Sequence, residues 1–564
     1  MLTFDEEKQN KRVDELHLEE AEGLAKMLSQ RYSLPYIDLT KSSISTDALR
    51  LIPEKDAREA GMVAFRLSGK NLEIAILTPN NPLIADTVRS FQENKNIFCK
   101  LYMTSVNSLE HAWERYAEAG KSTRTDEGVI QISDEAIAGY IAKFKKIEDI
   151  KETMDKEVAD SLQIGGITNL LEVILSGALA TNSSDIHIEP EETAIRLRYR
   201  LDGVLNEVAT IDSRLYRQIA ARLKLVSGMK LNVKQAAQDG RFEIKVDGAS
   251  IEIRVSIIPS SYGESVVMRV LNPKSINVTF ENLGVEPELF KIFEREISRP
   301  NGMILLTGPT GSGKTTTLYS FLRKVNSIES KIITIEDPIE YHLEGVNQTQ
   351  VNRGAGYTFL SGLRACLRQD PDIIMVGEIR DAETAKIAIN ASLTGHLVFS
   401  TLHTNNAAGA IPRLIDLGVN AKILTSALTL PIAQRLVRKL CQVCKKEDMP
   451  TADEKVLIGN VIATIKVKKP NLILPQTEKL WRPVGCDKCN KTGYKGRCGV
   501  YEAIVMDDAV AKATLENPSE KTIKIAAIPQ GILDMRQDGI LKILTGVTDM
   551  SELGRVVDLT EEFI

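Results

Sequence analysis

At 564 residues, with 43% hydrophobic and 26% charged residues, the chain has the composition of a globular protein with room for three or four separately cored domains. A net charge of −5 lacks the basic footprint of nucleic-acid binding, and no run approaches the roughly eighteen apolar residues of a membrane-spanning helix. The acidic, polar start is not a secretory signal, so the expected location is the cytoplasm, with any membrane role exerted through partners.

Taken in order, residues 1 to 30 read as helical; residues 1 to 22 carry eight Asp/Glu against three Lys/Arg, a solvated face or tail. Leu34–Leu39 is extended, and a short helix from Thr46 ends at Pro53. Met62–Leu67 and Asn71–Leu77 read as strands around a Ser68-Gly69-Lys70 turn, and Pro79-Asn-Asn-Pro82 opens a helix. This small α/β module, residues 1–110, holds no catalytic constellation, so docking is its expected role. Residues 111–160 are expected to be a linker, charged and poor in aromatics from residue 120 on, and so either a solvated helix or a flexible segment. In residues 161–280 a helix (Asn169–Ala180) leads to Ser184-Asp-Ile-His-Ile-Glu-Pro190, and strands then outnumber helices around Asp202-Gly203 and Asp247-Gly248 turns. That predicts an α+β domain. Its strands carry Arg196, Arg198, Arg200, Arg254 and Arg269. Alternating arginines ordinarily make a solvated, ion-paired face; at a subunit interface beside a nucleoside triphosphate they are what an arginine finger requires.

From Gly302 apolar strands alternate with helices, the pattern of a parallel-sheet α/β core, here expected over residues 281–435. Gly308-Pro309-Thr310-Gly311-Ser312-Gly313-Lys314-Thr315 matches G-x-x-x-x-G-K-[ST], between an apolar strand (Met303–Leu306) and a helix that starts at Thr316. The glycines let backbone N–H groups face phosphates, Lys314 neutralises the β- and γ-phosphates, and Thr315 can ligate Mg²⁺. The chain is therefore expected to bind a nucleoside triphosphate. Three polar clusters follow later strands, at the ends where such sheets place ligands: Glu336-Asp337-Pro-Ile-Glu340, Gly377-Glu378-Ile-Arg380-Asp381 and Ser400-Thr401-Leu-His403-Thr404-Asn405. Glu378 is the candidate for polarising the attacking water. Because residue 377 is Gly where phosphate-loop proteins usually carry a metal-linked Asp, Thr315 must anchor Mg²⁺ with help from Glu336, Asp337, Glu340 or Glu378. His403 is a candidate contact to the γ-phosphate, weighed against a structural histidine. Arg364 and Arg368, i and i+4 on a predicted helix, form either a solvated surface or a basic pair near the nucleotide.

Cys441-x-x-Cys444 and Cys486-x-x-Cys489 give a tetrahedral Zn²⁺ its preferred soft ligands, with 41 residues between the pairs implying an inserted segment. Four protein thiolates leave no open position, so a structural site in a lobe over 436–500 is expected; a redox pair is the alternative. Residues 501–564 read as a helical region.

These residues together resemble the secretion ATPase superfamily, in its type II secretion and type IV pilus-assembly branch. Ser184–Pro190 and Arg198-Tyr-Arg-Leu-Asp-Gly203 look like its second N-terminal domain, Gly308–Thr315 its Walker A loop, and Ile335–Tyr341 its Asp box. Leu367–Asp381, with Gly377, is similar to its Walker B, and Thr394–Asn405 to its His box. The four cysteines match the zinc lobe of pilus-extension and secretion members. The resemblance implies a RecA-like P-loop ATPase core, a PAS-like second N-terminal domain and a first N-terminal docking domain. It implies a homohexamer binding ATP, Mg²⁺ and Zn²⁺, with Arg198, Arg200 and Arg222 as candidates to reach the ATP. Hydrolysis would drive an inner-membrane platform protein, with other cytoplasmic components, to add pilins to a pilus, or to a type II secretion or competence pseudopilus. Two departures stand out: Val233-Lys-Gln-Ala-Ala237 replaces a basic residue and Pro, and the cyclic-di-GMP-binding pattern of some members is not evident in residues 1–110. A scaffold that binds ATP without hydrolysing it is the reading from a different class; Lys314 and Glu378 together argue against it.

Overall fold

Alternating apolar residues between Met62 and Met103 build a three-stranded sheet from β1 (Met62–Ser68), β2 (Asn71–Ile76) and β3 (Phe98–Met103). β1 and β2 are antiparallel; β3, which the sequence reading lacked, pairs parallel to β2 after the crossover helix Pro82–Lys95. Phe65, Leu72, Ile74 and Leu109 close its core, and the Trp113 indole N–H donates to the Met62 carbonyl at 3.2 Å. The computed structural model describes residues 21–42, 44–49, 51–68, 71–95, 97–116, 134–160, 166–246, 248–272 and 278–559. The expected helix up to residue 20, the turn at 69–70 and Asp247 of the second Asp-Gly turn lie outside these. Two units divide the chain, Met1–Thr125 and Asp126–Ile564.

Of the expected linker, residues 117–133 lie outside those described; Asp134–Lys143 and Ile147–Asp160 are helices, packed against helix Gly166–Ala180 rather than solvated all round, with Phe144, Ile150 and Met154 buried beside Ile174. In Ile147–Asp160 the buried Ile150 and Met154 are four residues apart and so share one helix face. The sheet beneath is wholly antiparallel, in the order β6-β5-β4-β9-β8-β7. It comprises β4 (Asp185–Pro190), β5 (Ile195–Leu201), β6 (Val204–Ile211), β7 (Gln238–Val246), β8 (Ala249–Ser260) and β9 (Gly263–Leu271). β5 alternates strictly: Ile195, Leu197, Tyr199 and Leu201 face the core while Arg196, Arg198 and Arg200 face outward.

A seven-stranded sheet follows, in the order β12-β11-β13-β14-β10-β15-β18, parallel except for β18. Its strands are β10 (Gly302–Thr307), β11 (Ile332–Glu336), β12 (Asn347–Gln350), β13 (Ile373–Val376), β14 (Leu397–Leu402), β15 (Leu428–Leu440) and, after the small ribbon β16 (Lys446–Asp448) and β17 (Leu480–Arg482), β18 (Tyr494–Ala503). β10, β11, β13 and β14 are buried throughout. Met303 and Leu305 enter one core and Ile304 and Leu306 the other, so helices cover both faces. Each such side chain contributes roughly 1.5–3 kcal/mol by leaving water. The expected boundary at 435/436 falls inside β15, because one continuous strand serves both the sheet and the lobe that hangs between β15 and β18. The C-terminal helices fold back on this hairpin: the Asp538 carboxylate accepts the Tyr501 N–H at 2.9 Å, and Arg438 forks onto Glu552 at 2.9 and 2.7 Å.

Candidate nucleotide site and cysteine cluster

Thr307 ends β10 and the chain turns through Gly308, Gly311 and Gly313, all at positive φ (147°, 79° and 90°), before helix Lys314–Val325 begins. At Gly308 a Cβ would lie 2.6 Å from the Gln434 carbonyl, so both the torsion and the close approach demand glycine. The loop leads directly into a helix N-terminus, whose free N–H groups and partial positive charge suit phosphate. Lys314 donates to the Gly308 and Pro309 carbonyls at 2.7 and 3.1 Å. Burial lowers its pKa to about 8, opposed by the charge of Glu378 and reinforced by that of Arg435. Pro309, Thr310 and Thr315 are exposed, Thr316 half-buried and Ser312 buried; the Thr315 hydroxyl stands at the helix start, where a phosphate-bound cation would lie.

Glu378 lies two residues past β13, its side chain 14% exposed, paired with Arg380 and 3.6 Å from the His403 imidazole that follows β14. A Cβ at Gly377 would press on the Ile335 carbonyl and the Phe359 ring, both at 3.3 Å. A side chain at 377 is crowded by the neighbouring strand, and the carboxylate enters one residue later.

The Asp box divides. The Glu336 carboxylate is buried and accepts from Tyr319, from Thr334 at 2.5 Å and from Gln348 at 3.1 Å; desolvation raises its pKa. Within this chain its acceptor sites are turned toward these three side chains. Asp337 pairs with Arg353 at 3.3 Å. Glu340 pairs with Arg254 of β8 at 3.3 Å, and the same guanidinium donates to the Ile339 carbonyl at 2.7 Å. Asp381 is the N-cap of helix Ala382–Leu393, accepting the Thr384 N–H at 2.8 Å.

The other expected cations lie elsewhere in the chain. Arg198 pairs with Glu189; Arg200 meets Asp185 at 3.2 Å and His187 at 3.4 Å. Within one chain both are therefore held on their own sheet. Arg222 is half-buried on helix Ser213–Val226. Arg364 and Arg368 are exposed, and Arg368 donates to the Arg364 carbonyl at 3.0 Å, the geometry of a solvated face. Sequence spacing carries no signal for three arginine contacts: Arg254 with Glu340, Arg380 with Glu378, and Arg435 of β15 with the Asn405 carbonyl.

The four cysteines of the lobe converge. Sγ separations are 3.9 Å (Cys441–Cys486), 3.8 Å (Cys444–Cys489) and 3.7 Å (Cys486–Cys489), and all four sulfurs lie within 4.8 Å of one another. Thiolates about 2.3 Å from a tetrahedral Zn²⁺ stand roughly 3.8 Å apart. The Cys486 and Gly493 N–H groups donate to the Cys489 sulfur at 3.1 and 3.3 Å, which orients and stabilises a thiolate ligand. The donor set fits zinc.

Residues 160–555 match the family model described as type II/IV secretion system protein, and residues 32–123 match the MshEN domain. The type IV pilus assembly ATPase PilB of Myxococcus xanthus is 37% identical over 538 residues, 95% of this chain and 91% of that protein. The type II secretion system protein E of Aeromonas hydrophila is 44% identical over 413 residues, covering 73% and 79%. Among solved structures, the Yersinia pseudotuberculosis ATPase DotB superposes with a TM-score of 0.50 at 19% identity, covering 70% of this chain and 94% of that one.

Proposed function

The chain belongs to the type II/IV secretion system protein family, and from that premise we propose that it is the ATP-hydrolysing motor of type IV pilus assembly. The observation that carries the reading is the convergence of the phosphate loop of β10 with Glu378 after β13 and His403 after β14, on strands that pair side by side as β13-β14-β10. Lys314 and the loop N–H groups hold the phosphates, Glu378 polarises a water, and His403 stands where a γ-phosphate is contacted. Thr315 would hold Mg²⁺, which screens the phosphate charge. The likeness to the pilus relative runs through the N-terminal unit, whereas the type II secretion relative matches 73% of the chain; this favours a pilus over a secretion pseudopilus.

We assign residues 1–110 to docking, 161–280 to a domain that closes over ATP and 281–435 to the core of the motor. Six chains form a ring in which Arg198, Arg200 or Arg222 reaches a nucleotide. An inner-membrane platform protein receives the work. Zinc bound by Cys441, Cys444, Cys486 and Cys489 holds the lobe; metal analysis should find about one zinc per chain, and an unchanged lobe after chelation would remove that role.

The deciding experiment is ATP hydrolysis across a size-exclusion profile, wild type beside Glu378→Gln. Activity confined to a hexameric fraction, with the variant binding ATP but slowed by about 10²–10⁴-fold, is expected. Tight binding without turnover in any wild-type fraction would support the scaffold reading instead.

A further inference from the structure

Inside the apolar run of β15 stand two polar residues, Gln434 and Arg435, directly behind the phosphate loop. Gln434 is structural: its side-chain oxygen accepts the Thr317 hydroxyl at 2.9 Å, and its amide nitrogen is 2.7 Å from where a Cβ on Gly313 would lie. Arg435 does something different. Its Nη2 donates to the Asn405 carbonyl at 2.8 Å, two residues past His403, and its Nη1 donates to the Gln434 carbonyl at 3.1 Å. The same Nη1 lies 3.0 Å from the Cβ position of Gly308, so the guanidinium packs on the first residue of the loop. One residue earlier the Thr307 hydroxyl accepts the Thr404 N–H at 2.8 Å and donates to the Thr404 carbonyl at 2.9 Å. The Thr307 bonds therefore join the end of β10 to the segment after β14, and Arg435 ties that same segment to β15 while lying against Gly308.

We propose that Arg435 is a positioning residue for ATP hydrolysis, clamping the segment that carries His403 to the phosphate loop so that His403 and Glu378 meet the terminal phosphate in register. The inference rests on the hydrolase reading above and extends it to a residue that carries no part of that reading. The clamp needs a planar fork, because its donors reach two carbonyls while its edge rests against Gly308; an ammonium is a single point of charge. The carbonyl it holds at Asn405 belongs to irregular backbone beyond the strand, where the sheet's own ladder gives no support. Burial disfavours the cation and the nearby Glu502 carboxylate favours it. A charge kept at that cost, beside Lys314, is consistent with a function beyond packing.

The test compares Arg435→Met and Arg435→Lys with wild type, measuring kcat, KM, the Kd of a non-hydrolysed ATP analogue and the thermal midpoint. In Arg435→Met, kcat should fall by about tenfold or more, the scale on which displacing a reacting group is felt. The analogue Kd should change less than about threefold, because the loop itself is intact. Arg435→Lys should fall between the two. Unchanged kcat in Arg435→Met, or kcat and affinity lost together, would overturn the proposal. If Arg435→Met does not fold, Arg435→Lys decides, since it keeps the stem and the charge: wild-type kcat there shows that no fork is needed and overturns it too. A wild type that binds the analogue without turnover overturns the hydrolase reading and this one with it, whereas wild-type turnover insensitive to Arg435→Met overturns this one alone.

Discussion

The two large sheets of the second unit present their polar residues in opposite ways. In the parallel sheet, strands β10, β11, β13 and β14 are buried along their whole length, so Lys314, Glu378 and His403 stand just beyond strand ends. In the antiparallel sheet one face is polar and partly open, and Arg196, Arg198 and Arg200 stand along β5 itself, each against a carboxylate. A doubly covered sheet concentrates its chemistry at one edge; a singly covered sheet spreads charge over a face that another surface can meet. The first arrangement gathers polar side chains from several strands of one chain; the second offers a charged face to another surface.

The largest effect is expected from Lys314→Ala. It should abolish detectable nucleotide binding while leaving the thermal midpoint nearly unchanged, because Lys314 bonds only to its own loop. Retained binding, measured by calorimetry, would show that the strand-end site is not where phosphate is held. Next in size is Arg200→Ala. If the open face completes a neighbour's site, turnover in the assembled fraction should drop by about 10³-fold or more, as for arginine fingers. Arg196→Ala serves as the contrast: its pairing with Glu191 at 2.9 Å joins two exposed side chains, so stability should change by less than about 1 kcal/mol and turnover not at all. Equal effects in the two variants would erase the distinction drawn along β5.

The smallest effect is on pH. Free Lys314 loses its proton as pH rises through about 8, whereas a lysine on phosphate must carry one. Binding above that pH therefore takes up a proton, and affinity should weaken by about tenfold per pH unit, staying level below it as far as this group is concerned. Calorimetry in buffers of different ionisation enthalpy reads the uptake directly; no uptake at about pH 9 would place the pKa of Lys314 higher.

Much of this molecule is written locally. The phosphate loop, the two C-x-x-C pairs and the strands β10, β11, β13 and β14 could be read because each depends on contiguous residues whose spacing dictates backbone torsion or burial. For Asp134–Lys143 and Ile147–Asp160 the charged sequence leaves helix and flexible linker both open, and β3 and β12 carry no clear pattern of their own; in each case a distant partner that pairs with it or covers it decides the structure. The same limit governs single side chains. Glu336 and Glu378 both end apolar strands, yet the fold turns Glu336 toward Tyr319, Thr334 and Gln348 and Glu378 toward His403 and Arg380. Arg254 finds Glu340 across 86 residues and Arg435 finds Asn405 across 30. Sequence by itself determined the fold class, the phosphate loop and the cysteine pairs, because short-range torsions and spacings suffice for them. Which carboxylate turns inward and which faces His403, and which arginine holds what, depends on three-dimensional register, because register chooses charge and hydrogen-bond partners.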